Sequence, residues 1–226
     1  MEHKILGTVM PVLELNLVTG EKIFAQPGAM TWMDADIEME TSTGGLFGGL
    51  KRSLMGESMF LAWFQPRVDG AQIAFGHSCP GHIMPVDVSS QSIICQKRAF
   101  LCAQEGVNLD VAFQRRLGAG IFGGEGFVMQ KLSGAGMAFL EIDGECVTKD
   151  LAPGEILKVD TGSVAAYEDT VQMDIKMMKG FKNILFGGEG LFLTTLQGPG
   201  KVWLQTMPLQ NMARELIPFL PKPSND

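Results

Sequence analysis

Long apolar runs and clusters of basic residues are both missing from this sequence. No stretch approaches the ~18 consecutive apolar residues of a membrane-spanning helix. Basic residues cluster only in pairs, at Lys51-Arg52, Lys97-Arg98 and Arg115-Arg116, and the net charge is −7. Because nucleic acids are bound through clustered Lys and Arg, we do not expect a nucleic-acid partner.

Reactive and metal-binding side chains are also few. The chain has three His and four Cys, and none of the cysteines forms a C-x-x-C pair. The segment from His77 to His82, with Cys79 between them, brings three soft ligands together but lacks the fourth that zinc requires. We therefore expect no catalytic residues, no metal and no cofactor, and reduced thiols in a cytoplasmic protein whose N-terminus lacks a signal-peptide core.

Apolar residues and glycine are abundant instead. Hydrophobic residues make up 46% of the chain, charged residues 19%, and there are 28 glycines. That composition supports a folded core and excludes a disordered chain. Since most glycines separate short apolar runs rich in β-branched and aromatic residues, we predict an all-β protein with many tight turns.

Three sequence frames each occur three times, in the same order. The first, P-G-x-Φ-x-x-Φ-D with Φ apolar, occupies residues 27–34, 80–87 and 153–160. The second, Gly-Glu before an apolar run, occupies residues 56–61, 124–129 and 188–193. The third, a glycine turn before another apolar run, occupies residues 69–75, 134–140 and 198–204. Pro-Gly and glycine turns between apolar runs predict short strands joined by tight turns.

An alternating strand that carries an acid lies between the first two frames in each copy. These strands are Ile37-Glu38-Met39, Leu109-Asp110-Val111 and Met173-Asp174-Ile175. The repetition predicts three tandem β-modules over residues 1–67, 68–135 and 136–226, the last with a short helix from Leu209 to Ile217 and a tail. Such short units bury little surface alone, so we expect them to pack together.

The repeated acids invite a catalytic interpretation, which we do not favour. Asp34, Asp87 and Asp160 each close a strand, where Asp commonly accepts hydrogen bonds from nearby backbone. Glu57, Glu125 and Glu189 follow a glycine in every copy. A catalytic site needs one constellation, whereas a fold needs the same device in each copy, so we expect structural roles.

Three Phe-Gly-Gly loops are the candidate binding residues. They lack the G-x-x-x-x-G-K-[ST] pattern of a phosphate-binding loop. If the modules are related by rotation, the loops lie on one apolar rim that contacts a membrane surface or a protein partner. The interpretation that we favour over this rim is that each Phe closes the end of its own module. The loop residues are Phe47, Gly48, Gly49, Phe122, Gly123, Gly124, Phe186, Gly187 and Gly188.

Several of these strings together resemble the AIM24 family, formerly a domain of unknown function. The most specific is Gly118-Ala-Gly-Ile-Phe-Gly-Gly-Glu-Gly126, and the resemblance runs from about Gly28 to Trp203. It implies a TRAP-like fold, similar to the tryptophan RNA-binding attenuation protein, which is a β-sandwich or short double-stranded β-helix. It further implies three modules per chain, three chains in a ring of nine modules, and no established catalytic residues. The family is associated in eukaryotes with the mitochondrial inner membrane; with no transit peptide apparent, we do not expect that location here.

The leading functional expectation is therefore a non-enzymatic, ring-forming scaffold or binding protein that forms a homotrimer, peripheral at a membrane if its loops bind one. The alternative is a regulator that binds RNA or a small ligand, by analogy with the attenuation protein; fold analogy is a weak argument for function. A cupin-like enzyme would need a histidine cluster that the sequence does not offer.

Overall fold

Short antiparallel strands make up nearly all of the described chain. The computed structural model describes residues 1–42, 61–76, 79–115, 126–177, 192–216 and 219. The strands in that part are β1 (Glu2–Leu6), β2 (Val12–Leu17), β3 (Ile23–Ala25), β4 (Met30–Met33), β5 (Ile37–Ser42), β6 (Leu61–Pro66), β7 (Ala71–Gly76), β8 (Gly81–Asp87), β9 (Ile93–Gln96), β10 (Phe100–Gln104), β11 (Val107–Arg115), β12 (Phe127–Gly134), β13 (Met137–Asp143), β14 (Cys146–Leu151), β15 (Ile156–Asp160), β16 (Val164–Glu168), β17 (Gln172–Met177), β18 (Phe192–Gln197) and β19 (Gly200–Gln205). The predicted all-β class is confirmed.

These strands form four sheets within the described residues. The first sheet has the order β1-β2-β7-β4, and the second has β5-β6-β3-β10-β13-β8. The third has β11-β12-β9-β16-β19-β14, and the fourth has β15-β18-β17. The second and third sheets are each made from two distant parts of the chain.

An apolar core lies between each two consecutive sheets. The first core, between the first and second sheets, contains Leu15 and Phe139. The second core, between the second and third sheets, contains Phe100 and Leu140. The third core, between the third and fourth sheets, contains Phe127 and Leu196. Both faces of the second and third sheets are therefore packed.

Alternation along the strands explains how this packing arises. In β2, Leu13, Leu15 and Leu17 are completely buried, while the residues between them are partly exposed. Side chains of a strand point alternately to its two faces, so this pattern places one face of β2 on the first core. In β13, by contrast, five consecutive residues are buried, as expected for a strand covered on both faces.

A single short helix, α1 (Leu209–Leu216), follows the last strand in the described residues. The predicted helix from Leu209 is confirmed. The backbone N–H of Leu209 donates to Asp143 Oδ2 at 2.8 Å. That bond satisfies a donor at the helix start that has no partner within the helix.

The prediction that the three Pro-Gly frames are equivalent is wrong. Residues 27–34 lead into β4, which pairs with β7; residues 80–87 form β8, which pairs with β13; and residues 153–160 lead into β15, which pairs with β18. Pro27-Gly28 and Pro153-Gly154 form a turn before the strand, with the glycine at positive φ, whereas Gly81 is already the first residue of β8. The turn does not specify which strand follows.

The acid-bearing strands are confirmed as strands, with one shift of position. Asp110 lies opposite Lys131 and Asp174 lies opposite Thr195 in the ladders of β11 and β17. Ala25 faces Cys102 as Cys95 faces Ala166, and their partners on the other side are Ala62 and Gln130. Trp63 therefore corresponds to Lys131, and the acid in β5 that matches Asp110 is Glu40, which lies opposite Trp63. The sequence analysis matched Glu38 instead, which lies two residues earlier on the same face of β5.

The glycine turn before β13 yields a stability prediction. Gly134 has φ of +101°, and a Cβ on it would lie 2.5 Å from the carbonyl oxygen of Gly106. Gly154 also has positive φ, but nothing lies within 4 Å of its Cβ position. We expect Gly134→Ala to cost about 2–5 kcal/mol, from the left-handed backbone plus the overlap, and Gly154→Ala only about 1–2. Urea denaturation of both variants measures the difference; equal losses would contradict this account.

Candidate functional site

Two pairings join strands that are far apart in the sequence. In the first, β3 and β10 are antiparallel, with Cys102 opposite Ala25. In the second, β9 and β16 are antiparallel, with Ala166 opposite Cys95. We call these the first and second inner seams, because each lies in the middle of a six-stranded sheet.

Backbone bonds extend the first inner seam beyond its ladder. Gln26 N–H donates to the Leu101 carbonyl at 3.2 Å, and Glu105 N–H donates to the Lys22 carbonyl at 3.0 Å. In an antiparallel ladder these bonds make Cys102–Ala25 a non-hydrogen-bonded pair and Ala103–Phe24 a hydrogen-bonded one. At the second inner seam, Asp169 N–H donates to the Ser92 carbonyl at 3.2 Å.

Buried polar side chains reinforce both inner seams. At the first, the side-chain amide of Gln26 donates to a carboxylate oxygen of Glu141. At the second, Gln96 Nε2 donates to the Val164 carbonyl at 2.5 Å, and Gln205 Nε2 donates to the Gly162 carbonyl at 2.7 Å. The Gln26 and Gln96 bonds link the ends of β3 and β9 to strands across the seam, whereas the Gln205 bond holds β19 to the turn before β16. Breaking one would leave a buried polar group unpaired, which costs about 1–3 kcal/mol.

The strands β4, β10 and β16 share a local geometry. They pair with β7, β13 and β19, respectively. In each of these three ladders the register shifts after the first pair of residues. A side chain just after or at the end of each strand then accepts a backbone N–H from that partner. These bonds are Gln72 N to Asp34 Oδ2 at 2.8 Å, Met137 N to Gln104 Oε1 at 2.7 Å, and Lys201 N to Glu168 Oε2 at 2.8 Å.

The surroundings of these three strands nevertheless differ. β10 and β16 each have a second neighbour across an inner seam, whereas β4 has no second neighbour in the part of the chain that the structure describes. At the first residue after the register break, Cys102 and Ala166 are completely buried, but Trp32 is 43% exposed. An aromatic ring exposed beside an unpaired strand edge is a feature of interaction surfaces.

The strand β15 is the second open edge. It pairs with β18 on one side, as β9 pairs with β12, but it has no neighbour on the other side within the described residues. Ile156 is 57% exposed, and Leu157 and Val159 are only partly buried at the margin of the third core. The corresponding strand edges of β3 and β9 are covered by the inner seams.

The backbone groups that face outward can be assigned on both open edges. Asp34 N–H donates inward to the Gln72 carbonyl at 2.9 Å, so by alternation the N–H and C=O of Met33 point outward. On β15, the Glu155 carbonyl accepts inward from Gly198 N at 3.0 Å, so Lys158 is an outward residue. As far as the described residues extend, the two edges thus present donors and acceptors that pair with no other strand.

The described cysteines are poorly suited to nucleophilic chemistry. Burial raises the pKa of Cys95 to about 12 and that of Cys102 well above its ordinary value. Burial also raises the pKa of Cys79 and Cys146. A thiol must ionise to act as a nucleophile, so these four groups remain protonated near neutral pH.

The predicted structural role of the acids is borne out at two positions. Asp34 accepts the Gln72 N–H described above, and Asp87 Oδ1 accepts the Ser89 N–H at 2.9 Å. The hydrogen bonds to Ser89 lower the pKa of Asp87. In the described part of the chain, no group of three or more His, Cys, Asp and Glu side chains is arranged to hold a metal ion.

The nine predicted loop residues lie outside the described residues. Phe47, Gly48 and Gly49 fall in residues 43–60. The other six, Phe122, Gly123, Gly124, Phe186, Gly187 and Gly188, fall in residues 116–125 and 178–191. None of the helical segments among the described residues has the length and hydropathy to cross a membrane.

Sequence analysis missed the two open edges and the side chains of the inner seams. It identified β4 and β15 as strands but treated them as equivalent, although they lie at the open edges of different sheets. A signal was present in Gln26 and Gln96, which both follow a short apolar strand of Ile, Phe, Ala or Cys. Comparison of those two positions would have aligned the strands correctly.

Comparison with known proteins relates most of the chain to one family. A family model described as "Mitochondrial biogenesis AIM24" matches residues 3–207. An uncharacterised protein of Streptococcus pyogenes serotype M6, M6_Spy0233, is 28% identical over 225 residues, which cover 95% of this chain and 89% of the relative. The crystal structure of SPYM3_0169 from Streptococcus pyogenes has a TM-score of 0.78 at 23% identity, covering 97% of this chain and 99% of that one. The last likeness supports the fold alone.

Proposed function

Since the chain belongs to the AIM24 family, we propose that it is a non-enzymatic scaffold or binding protein that closes into a ring of three identical chains. Each chain would supply three tandem β-sandwich units of the TRAP-like, short double-stranded β-helix type. The ligand or partner held by the ring is unassigned.

The pattern of strand pairing is the observation that carries this proposal. Take the six strands β8 to β13: the first and third pair with the sixth, and the second and fourth pair with the fifth. The strands β14 to β19 pair in the same way. So do β2 to β7. Three independent copies of one pairing scheme support a triplicated unit.

The pairing also suggests where the units begin and end. The schemes span residues 12–76, 81–143 and 146–205. These limits differ from the sequence-based modules 1–67, 68–135 and 136–226, whose boundaries fall between β6 and β7 and between β12 and β13. We propose the pairing-based limits, because strands that share a hairpin belong to one unit.

A ring follows from the way the units join. Each inner seam pairs the second strand of one unit with the third strand of the next. The third strand of the first unit, β4, and the second strand of the last unit, β15, therefore remain open at the two ends. A head-to-tail contact of this kind forms a closed ring if the rotation closes.

A structural role is better supported than an enzymatic one. The described cysteines are protonated, and Asp34 and Asp87 are engaged with backbone N–H groups. Contact of the glycine loops with a membrane remains a prediction, which pelleting with anionic vesicles at low salt would test. The net charge of −7 disfavours the RNA-binding alternative, which we do not propose.

Native mass spectrometry tests the proposal. A single chain has a mass of 24.5 kDa, and the proposal predicts a particle of three chains that persists on dilution. The same spectrum would reveal a co-purified small molecule as a constant mass increment. A monomer at micromolar concentration would refute the ring.

A further inference from the structure

We infer that β4 of one chain pairs with β15 of a second copy in an antiparallel seam in which Trp32 lies opposite Val159 and Asp34 opposite Leu157. The inference rests on the proposed ring and specifies its contact. We call this contact the outer seam. It assigns a partner and a register to two strands that each have an open edge in the described part of the single chain.

The order of strands in the sheets supports the outer seam. The second sheet has β5-β6-β3 from one unit joined to β10-β13-β8 from the next. The third sheet repeats this arrangement with the following units. Joining the fourth sheet to the first sheet of another copy gives β17-β18-β15-β4-β7-β2, which is the same arrangement, with β1 added at the outer edge.

The register follows from the inner seams. The residue after the register break is Cys102 in β10 and Ala166 in β16, and they face Ala25 and Cys95. The corresponding residue of β4 is Trp32. A glycine turn follows both β12 and β18. At the same distance from these turns, β12 faces Cys95 of β9 and β18 faces Val159 of β15, so Val159 corresponds to Cys95.

This register matches the outward backbone groups of the two edges. Met33 and Lys158, whose N–H and C=O groups point outward, become a hydrogen-bonded pair. Each would donate to the other, as expected for two residues directly opposite in an antiparallel ladder. No inward bond to β7 or β18 has to break.

Packing supports the same register. Cys102 belongs to the first core, beside Ala25, and Ala166 belongs to the second core, beside Cys95. In both inner seams, the two residues that face each other thus belong to the same core. If the outer seam follows this pattern, Trp32 enters the third core of the neighbouring chain, beside Val159. That core has partly buried Leu157 and Val159 at its margin, so it has an apolar surface for an indole to cover. Burial of Trp and its neighbours is a frequent source of interface stability.

Lys158 does not oppose the pairing. Lysine on an edge strand often prevents association, but its side chain stands perpendicular to the sheet. Its outward N–H stays accessible, and the aliphatic stem can lie against Met33 while the ammonium group remains in water.

Cysteine cross-linking tests the register. In the outer seam Trp32→Cys and Val159→Cys would form a non-hydrogen-bonded pair with Cα atoms about 4.5 Å apart, within the range for a disulfide. Mixing the two single variants under mild oxidation should give a reducible dimer that contains one chain of each kind. Asp34→Cys mixed with Leu157→Cys is a second in-register pair if either chain of the first pair fails to fold.

The off-register mixture of Trp32→Cys with Leu157→Cys is the matched control. It displaces one partner by two residues, about 6–7 Å along the strand, and should give at least ten times less dimer. Wild-type protein sets the background from the native thiols. A trimer in native mass spectrometry with no in-register cross-link in either pair would overturn the outer seam and leave the ring standing. A monomer would overturn both.

Discussion

Replacing Lys158 by proline is expected to convert the ring into single chains. Proline removes the outward N–H of β15 and places its ring where Met33 of the next chain would pair. The inward bonds of β15 to β18 are kept, since proline is tolerated on an edge strand where its nitrogen faces solvent. At about 2 kcal/mol for each of three seams, the trimer should be weakened by about 6 kcal/mol, or roughly 10⁴-fold.

Lys158→Ala is the control for this change. It removes the same side chain but keeps the backbone N–H, so its mass distribution should match that of the wild type. Sedimentation velocity over a hundredfold range of concentration measures both variants. If Lys158→Pro remained a trimer at the lowest concentration, β15 would not be in the seam.

Replacing Phe139 by alanine is expected to cause the largest loss of stability within one chain. Phe139 is completely buried in the first core, and its ring meets that of His3 edge-on at 5.2 Å between centroids. Truncating a buried Phe costs about 3–5 kcal/mol, through lost burial and the cavity that remains. Phe139 lies in β13, in the second proposed unit, yet packs with Leu13 and Leu15 of the first.

The first core is shared between the first and second proposed units. We therefore expect the truncation to lower the urea midpoint of a single cooperative transition, without separate unfolding of one unit. Urea denaturation followed by fluorescence and circular dichroism measures this, and the two signals should coincide. Phe219→Ala is the matched control; Phe219 is 84% exposed, so it should change stability by less than about 0.5 kcal/mol. Two separated transitions in Phe139→Ala would show that the units fold independently.

Local chemistry made part of this fold predictable. Alternation in segments such as Val12–Leu17, turns at Pro-Gly and glycine, and the final helix at Leu209 all depend on residues close in sequence. The glycine turns at Gly134 and Gly198 did identify corresponding positions, because both need a backbone without a Cβ. A left-handed or crowded backbone restricts the sequence strongly.

The pairing of distant strands was not predictable from the same signals. The frames at Pro27, Pro80 and Pro153 share a sequence pattern but enter strands with different partners. Every half-buried strand has the same period of two, so the period does not identify a neighbour. The seam side chains Gln26 and Gln96 are polar, and only the fold places them beside Glu141 and the Val164 carbonyl.

Hydrogen exchange of the amides in β4 and β15 tests the central claim most directly. The proposed assembly predicts that Met33 and Lys158, on otherwise open edges, exchange as slowly in the wild-type trimer as the paired amides of β10 and β16. It also predicts that the protection of the Met33 amide disappears in Lys158→Pro, which has no amide hydrogen at position 158, while β10 and β16 stay protected. Fast exchange of β4 and β15 in a wild-type sample that is fully trimeric would contradict the account.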